Sequence, residues 1–282
     1  MTYEQLLRDA SKKALEKDKE IEAVKLLLME LSHQDPHEFY LNLKNEVDET
    51  FKIDFINKLN QYILQDIPVQ HLIGHAYFYG HAFDVSKDVL IPRSETERLV
   101  EEVLYLYDTY FDQKEVLVLD LGTGSGCIGI TLALEESHMK VSISDISLDA
   151  LKIASKNKDK LKADVSIIHS DLFKNINQKF DIIVSNPPYI PDEEALENIV
   201  KKEPDVALFG GQLGVDFYEK ILKDIKPFLK ENSLIAFEHG YMQKDVIRGF
   251  AQKHLKEATI VQKKDLQQKD RFTFIGFGDV LK

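Results

Sequence analysis

Glu115-Val116-Leu117-Val118-Leu119-Asp120-Leu121-Gly122-Thr123-Gly124-Ser125-Gly126 is the stretch whose reading decides the fold. Its first half is a short apolar run of the kind that makes a buried strand, cut off at once by three glycines. Cys127 to Leu134 then reads as a helix. In an open α/β sheet a ligand sits at the carboxyl ends of the strands, and a glycine turn there lets it approach the backbone.

Outward from this unit, strand and helix alternate. The pattern predicts strands at Lys140–Asp145, Val165–Ile168, Phe180–Val184 and Ser233–Glu238. Helices are expected over 95–109, Leu148–Leu161, Phe217–Leu229 and Lys244–His254. Such alternation argues for a mostly parallel sheet with helices on both faces. Thr259-Ile260-Val261 and Phe272 to Phe277 read as two late strands with no helix between them, hence an antiparallel edge.

Residues 1–74 carry apolar positions at helical spacing: Leu6, Leu7, Ala10, Ala14; Ile21, Val24, Leu28, Leu31; Phe51, Phe55, Leu59, Ile63. Asp35-Pro36-His37-Glu38 has the form of a helix start, with Asp35 as cap and Glu38 returning the hydrogen bond. These stripes read as the core of a small bundle. With 9 basic and 14 acidic residues, the segment suits a protein partner better than a nucleic acid. Residues 75–93 change period. Tyr77-Phe78-Tyr79, Gly80-His81 and Ala82 to Val85 suggest a hairpin, and Val89-Leu90-Ile91 a further short strand ended by Pro92. Ser94-Glu95-Thr96-Glu97 reads as a helix start with Ser94 at the cap. The expected organisation is therefore a helical domain, 1–74, a hairpin connector, 75–93, and an α/β domain, 94–282.

Composition narrows the function. With 44% hydrophobic and 30% charged residues the chain is an ordinary globular one. No run of 18 apolar residues offers a membrane span, and the start lacks the basic stretch and apolar core of a signal peptide. A single cysteine, Cys127, excludes an intrachain disulfide and a Cys-rich zinc site, so a reducing cytoplasm is expected. Cys127 itself reads as a packed helix residue, since nothing near it in sequence would stabilise a thiolate. Net charge is −12, which argues against a phosphate backbone as the partner.

The glycine loop alone is ambiguous. Gly124-Ser125-Gly126-Cys127-Ile128-Gly129 matches G-x-G-x-x-G, and Asp145 ends the next strand 19 residues after Gly126. A carboxylate there can accept from both ribose hydroxyls of an adenosine group, in NAD and in S-adenosylmethionine alike. A tight turn without a ligand is the alternative. Asp120 could hold the loop or a cationic methionine end. Asp171, in Ser170-Asp171-Leu172-Phe173, either reaches a ligand or caps a turn.

Asn186-Pro187-Pro188-Tyr189, directly after Phe180 to Ser185, is more specific. Two prolines at the end of a core strand fix the backbone and stop the ladder. The Asn186 side-chain oxygen and the Pro187 carbonyl can then accept two hydrogen bonds from one NH₂ group, with Tyr189 offering an aromatic surface. An amide or aromatic amine nitrogen is a weak nucleophile because its lone pair is delocalised. Two fixed acceptors hold it and favour positive charge on it as it attacks.

Asp120 to Gly126 resembles the first motif of class I, Rossmann-like methyltransferases, and Asn186 to Tyr189 resembles the tetrad of those acting on adenine, cytosine or glutamine amino groups. The wider pattern resembles the HemK-type release-factor glutamine methyltransferases. Pro68 to Gly74 is similar to the end of their helical domain, and Leu90 to Glu97 to their connector. Glu203-Pro204, Phe217-Tyr218, Glu238-His239-Gly240 and Asp270 to Thr273 are similar to later landmarks. The resemblance covers essentially the whole chain. It implies methyl transfer from S-adenosylmethionine to the N5 amide nitrogen of the glutamine in the Gly-Gly-Gln motif of peptide-chain release factors. It further implies that Gly122, Thr123, Gly124, Ser125, Gly126, Asp145, Asp171, Leu172 and Asn186 bind the cofactor, Asp171 at the adenine. Asn186, Pro187, Pro188 and Tyr189 would hold the glutamine, with Asn186, Pro187 and Tyr189 catalytic. The expectation is a cytoplasmic monomer with a protein substrate, no metal, no membrane and no direct nucleic-acid contact. Relatives often carry tryptophan after the acid, where this chain has Leu172 and no tryptophan anywhere. Glutamine methylation of a ribosomal protein, methylation of a nucleic-acid amino group and a noncatalytic scaffold are the competing readings.

Overall fold

The computed structural model describes residues 1–282 as two compact units, Met1–His75 with Leu196–Lys202, and Ala76–Ala195 with Glu203–Lys282. The first unit holds α1 (Tyr3–Leu15), α2 (Ile21–Leu31), α3 (Pro36–Leu41), α4 (Glu49–Gln65) and α5 (Val69–Ile73). Three of the five starts carry a side-chain cap. Thr2 and Gln5 form a reciprocal capping box on α1, Asp35 and Glu38 another on α3, and Asp48 accepts from the amides of Thr50 and Phe51 at α4. Leu6, Ala10, Val24, Leu27, Leu28, Phe55 and Leu59 pack together as the core, and Ile199 of the 196–202 segment packs against it.

From the last residue of the first unit's N-terminal stretch into the second runs a hairpin, β1 (His75–Phe78) and β2 (His81–Asp84), which turns at Tyr79-Gly80, both at positive φ. It is followed by α6 (Ser94–Tyr110), β3 (Val116–Leu121), α7 (Cys127–Glu135), β4 (Met139–Asp145), α8 (Leu148–Leu161), β5 (Val165–His169) and β6 (Phe180–Ser185). Then come α9 (Asp205–Leu208), α10 (Asp216–Asp224), β7 (Leu229–Glu238), α11 (Lys244–His254), β8 (Thr259–Lys264) and β9 (Asp270–Phe277). The seven-stranded sheet runs β5-β4-β3-β6-β7-β9-β8, parallel through β7 and antiparallel at β9 and β8.

Strand alternation divides the core. Val118, Ile182 and Leu234 face one cluster with Leu99 and Val103 of α6 and Ile130 of α7. Leu119, Ile183 and Ile235 face the other, with Tyr218 and Leu222 of α10 and Ile247 of α11. Each such buried aliphatic contributes about 1.5–3 kcal/mol.

Three expectations fail. Residues 89–91 form no strand, because the Ile91 amide donates to the Glu203 carboxylate instead of a ladder. Ser94 is not the cap of α6: the cap position is Arg93, with no side-chain hydrogen bond, and Glu97 is drawn away to accept from the Tyr79 amide in the hairpin turn. The helix expected to reach Leu229 stops at Asp224. Pro227 lies in a 3₁₀ turn, Lys226–Phe228, and Leu229 already begins β7.

Candidate active site

The chain order of the strands reverses at the β3–β6 pair, and the glycine loop and Asn186-Pro187-Pro188-Tyr189 leave the carboxyl ends of these two neighbours. This is the switch point at which α/β sheets bind ligands. One cavity opens there, lined by residues 121–125, Asp145, Ile146, Asp171, Leu172, Asn186, Pro187 and Pro188, with Thr96, Arg93 and Phe217 at other walls.

The loop is built from β4 as much as from β3. The amides of Gly122 and Thr123 both donate to the Ser144 carbonyl at 2.9 Å, and the Gly124 amide donates to Asp145 Oδ2 at 2.9 Å. Asp145 Oδ1 accepts from the Ser147 amide at 2.8 Å, and burial pushes this carboxyl's pKa up. Each oxygen keeps a lone pair for a ligand hydroxyl. Gly122 and Gly124 have φ of +77° and +56°, and a Cβ on either would point into open space. Gly126 differs: it does not line the cavity, and a Cβ there would lie 2.7 Å from Ile130 Cδ1, so its task is packing α7 on the loop.

Asp120 also stays off the cavity wall. Fully buried, it accepts from the Thr123 hydroxyl and, at 2.9 Å, from the Gly129 amide through Oδ2, and burial pushes its pKa up to about 6. It holds the loop. Burial, with Asp120 next, pushes the Cys127 thiol up to about 12, so no thiolate forms there.

The far wall is aliphatic. Ile146 and Leu172 line the cavity there. Leu172 sits at φ +48°, a left-handed conformation costing about 1–3 kcal/mol, held by the Ser170 hydroxyl donating to its carbonyl at 2.7 Å. Asp171 pairs with Lys174 Nζ at 2.5 Å and still borders the cavity.

At the mouth, Asn186 Nδ2 donates to Thr96 Oγ1 at 3.3 Å, which turns Oδ1 away from the protein donors. Neither Asn186 Oδ1 nor the Pro187 carbonyl accepts a hydrogen bond within the chain, and both residues line the cavity. Tyr189 does not line it. Its ring packs with the second core cluster, burial pushes its phenol up to about 12, and its carbonyl accepts from Gln243 Nε2 at 2.7 Å. The aromatic surface expected from Tyr189 therefore lies behind the cavity wall. Sequence reasoning missed Thr96, Ile146, Glu238 and Gln243. Thr96 and Glu238 stand inside the family's landmark segments, but nothing in a linear pattern shows that they meet.

A glycine loop, an acid closing the next strand and two free acceptors at the end of the adjacent strand define an α/β methyltransferase. Residues 104–232 match the family described as Methyltransferase small domain. The chain is 38% identical over 277 residues to the release factor glutamine methyltransferase of Bacillus subtilis (strain 168), with 96% of each chain covered. To the release factor glutamine methyltransferase of Streptococcus pneumoniae (strain ATCC BAA-255 / R6) it is 34% identical over 281 residues, with 99% of each covered. The crystal structure of a methyltransferase from Pyrococcus furiosus superposes with a TM-score of 0.53 at 17% identity, over 82% of this chain and 98% of that one, a likeness of fold. The chain belongs to the release factor glutamine methyltransferase family. No helix is long and apolar enough to cross a membrane.

Proposed function

We propose that this enzyme methylates the N5 amide nitrogen of the glutamine in the Gly-Gly-Gln motif of peptide-chain release factors, using S-adenosylmethionine. One observation carries the reading: two unpaired acceptors, Asn186 Oδ1 and the Pro187 carbonyl, share a cavity with the glycine loop and Asp145. When bound, S-adenosylmethionine supplies an electrophilic sulfonium methyl. Gly122, Thr123, Gly124 and Ser125 would hold its methionine part, Asp145 its ribose, and Ile146, Leu172 and Asp171 its adenine. The open faces of Gly122 and Gly124 and the spare lone pairs of Asp145 fit that group.

Asn186 and Pro187 grip both hydrogens of the substrate NH₂ and orient its nitrogen. As the nitrogen takes the methyl and the methyl's bond to sulfur breaks, positive charge on that nitrogen strengthens both hydrogen bonds. The acidified N–H proton then leaves to solvent, so no strong base is needed at the site. Release-factor recognition is assigned to the helical unit, which exposes Leu15, Tyr40, Leu41, Ile53 and Leu64 and carries an acidic balance that disfavours nucleic acid. Methyl transfer from labelled cofactor onto intact release factor, with the product mapped to the Gly-Gly-Gln glutamine, tests the assignment; a label elsewhere or none overturns it.

A further inference from the structure

The register of β6 and β7 pairs Ser185 with Phe237, which sets Asn186 and Glu238 side by side as the two strands end. Glu238 is 1% exposed and forms no ion pair, and its Oε2 accepts no hydrogen bond. A buried carboxylate without an ion-pair partner is costly, so packing alone gives no reason for it. The side chains of Thr96 and Asn186 are the hydrogen-bonding groups that face it, and both favour its ionised form. Thr96, 3% exposed in the first turn of α6, also accepts from Asn186 Nδ2.

The chemistry gives this cluster one direction. When Glu238 is ionised it only accepts, so the Thr96 hydroxyl facing it keeps its proton for the carboxylate and offers its lone pair to Asn186 Nδ2, the bond the structure shows. Asn186 therefore presents its NH₂ to Thr96 and Glu238, and its Oδ1 is left for the cavity. A flipped amide would set a carbonyl against a carboxylate and turn a donor towards the substrate NH₂, where an acceptor is required.

We propose that Thr96 and Glu238 are positioning residues that lock the amide of Asn186 in its accepting orientation for the substrate nitrogen, an inference that rests on the function proposed above. Thr96→Val keeps the volume and removes the hydroxyl. It is expected to lower kcat roughly tenfold or more, the effect of leaving a buried donor without its acceptor, while cofactor affinity stays within about threefold. Thr96→Ser restores the rate, and Glu238→Gln, whose amide can both donate and accept, lowers kcat as well.

The decisive measurement is a double-mutant cycle on intact release factor. If Thr96 acts through Asn186, adding Thr96→Val to Asn186→Ala produces no further loss. The inference is overturned if Thr96→Val and Glu238→Gln both stay within about twofold of the unaltered enzyme, or if Thr96→Val costs its full factor on the Asn186→Ala background. Failure of the unaltered enzyme to methylate release factor would strike the proposed function itself, and is read in the same assay before any variant.

Discussion

Every buried side chain of the helical unit is apolar or aromatic, from Leu6 through Phe55 to Val69, whereas the sheet unit also buries Thr96, Asp120, Glu203, Glu238, His239 and Gln243. The core of the helical unit is held by apolar burial, with its polar bonds at helix ends and the surface. The other sinks polar groups and satisfies most of them locally: Gln243 donates to the carbonyls of Tyr189, Leu213 and Gly214, and Glu203 accepts from the Ile91 amide and Arg93. These polar groups gather around the carboxyl ends of the strands. In the sheet unit, buried polarity holds side chains in place around the strand ends. Substitutions should separate the two accordingly.

The largest effect is expected in the helical core. Phe55→Ala should cost about 3–5 kcal/mol of that unit's stability, read by chemical denaturation. Methylation of intact release factor should weaken with it while cofactor affinity is kept; equal loss of cofactor affinity would show that the two units do not divide the work. Asn186→Ala reverses the pattern, with kcat down about 10²–10³-fold and melting nearly unchanged, since one transition-state acceptor is lost. A near-normal single-turnover rate would show that Asn186 does not hold the reacting nitrogen. Asp145→Ala should weaken cofactor binding roughly 10–10²-fold, with most of the rate recovered at saturating cofactor. A rate that stays low would mean that its bond to the Gly124 amide, and not the ligand, is what matters.

A pH series sharpens the contrast within one residue. Burial pushes Glu238 up to about 7, opposed by hydrogen bonds from Thr96 and Asn186 and by the charge of Arg271, while Glu95 adds to the rise. Tyr189, Tyr218 and Cys127 also feel its charge but stay neutral in this range. The folded state holds this proton more tightly than the unfolded chain, so the group lowers stability as pH rises from about 4.5 to about 7, with no further change above. Activity moves the other way, because only the ionised carboxylate is a pure acceptor for the Asn186 anchor. Initial rates should rise through about pH 7, and Glu238→Gln should flatten that limb; an unchanged limb assigns it to another group.

The smallest effect is expected at Gln212, although Gly210-Gly211-Gln212 repeats the tripeptide of the inferred substrate. The Gly210 amide is bound to the Ile190 carbonyl, and Gly211 exchanges hydrogen bonds with Asp192 on both its amide and its carbonyl. A loop pinned this way does not reach the cavity beside Asn186. Intact mass after long incubation with cofactor alone should show no added methyl on Gln212.

Much of the fold was legible because the buried strands and amphipathic helices carry strong periods; α8 and α11 match their expected bounds residue for residue. Errors arose where a distant partner outbid a local signal. Glu97 turned to Tyr79 instead of capping α6, and Glu203, 112 positions along the chain, took the Ile91 amide that a strand would have used. The same holds at the site. The loop residues, Asp145 and Asn186 through Pro188 were readable, since each motif sits at a strand end. Thr96 lies 90 positions from Asn186 and Glu238 comes from yet another strand, so their meeting needs the sheet register to be seen. Gly126 and Tyr189 were readable as motif members but not as packing residues.

The central claim is that the two free acceptors at Asn186 and Pro187 serve a protein glutamine. Methyl transfer from labelled cofactor should be measured in parallel on purified release factor, ribosomal protein and RNA, with the modified residue mapped by mass spectrometry. Stoichiometric label is expected on release factor alone, at the N5 nitrogen of the Gly-Gly-Gln glutamine, abolished in Asn186→Ala. Label on RNA or ribosomal protein with release factor untouched would contradict it.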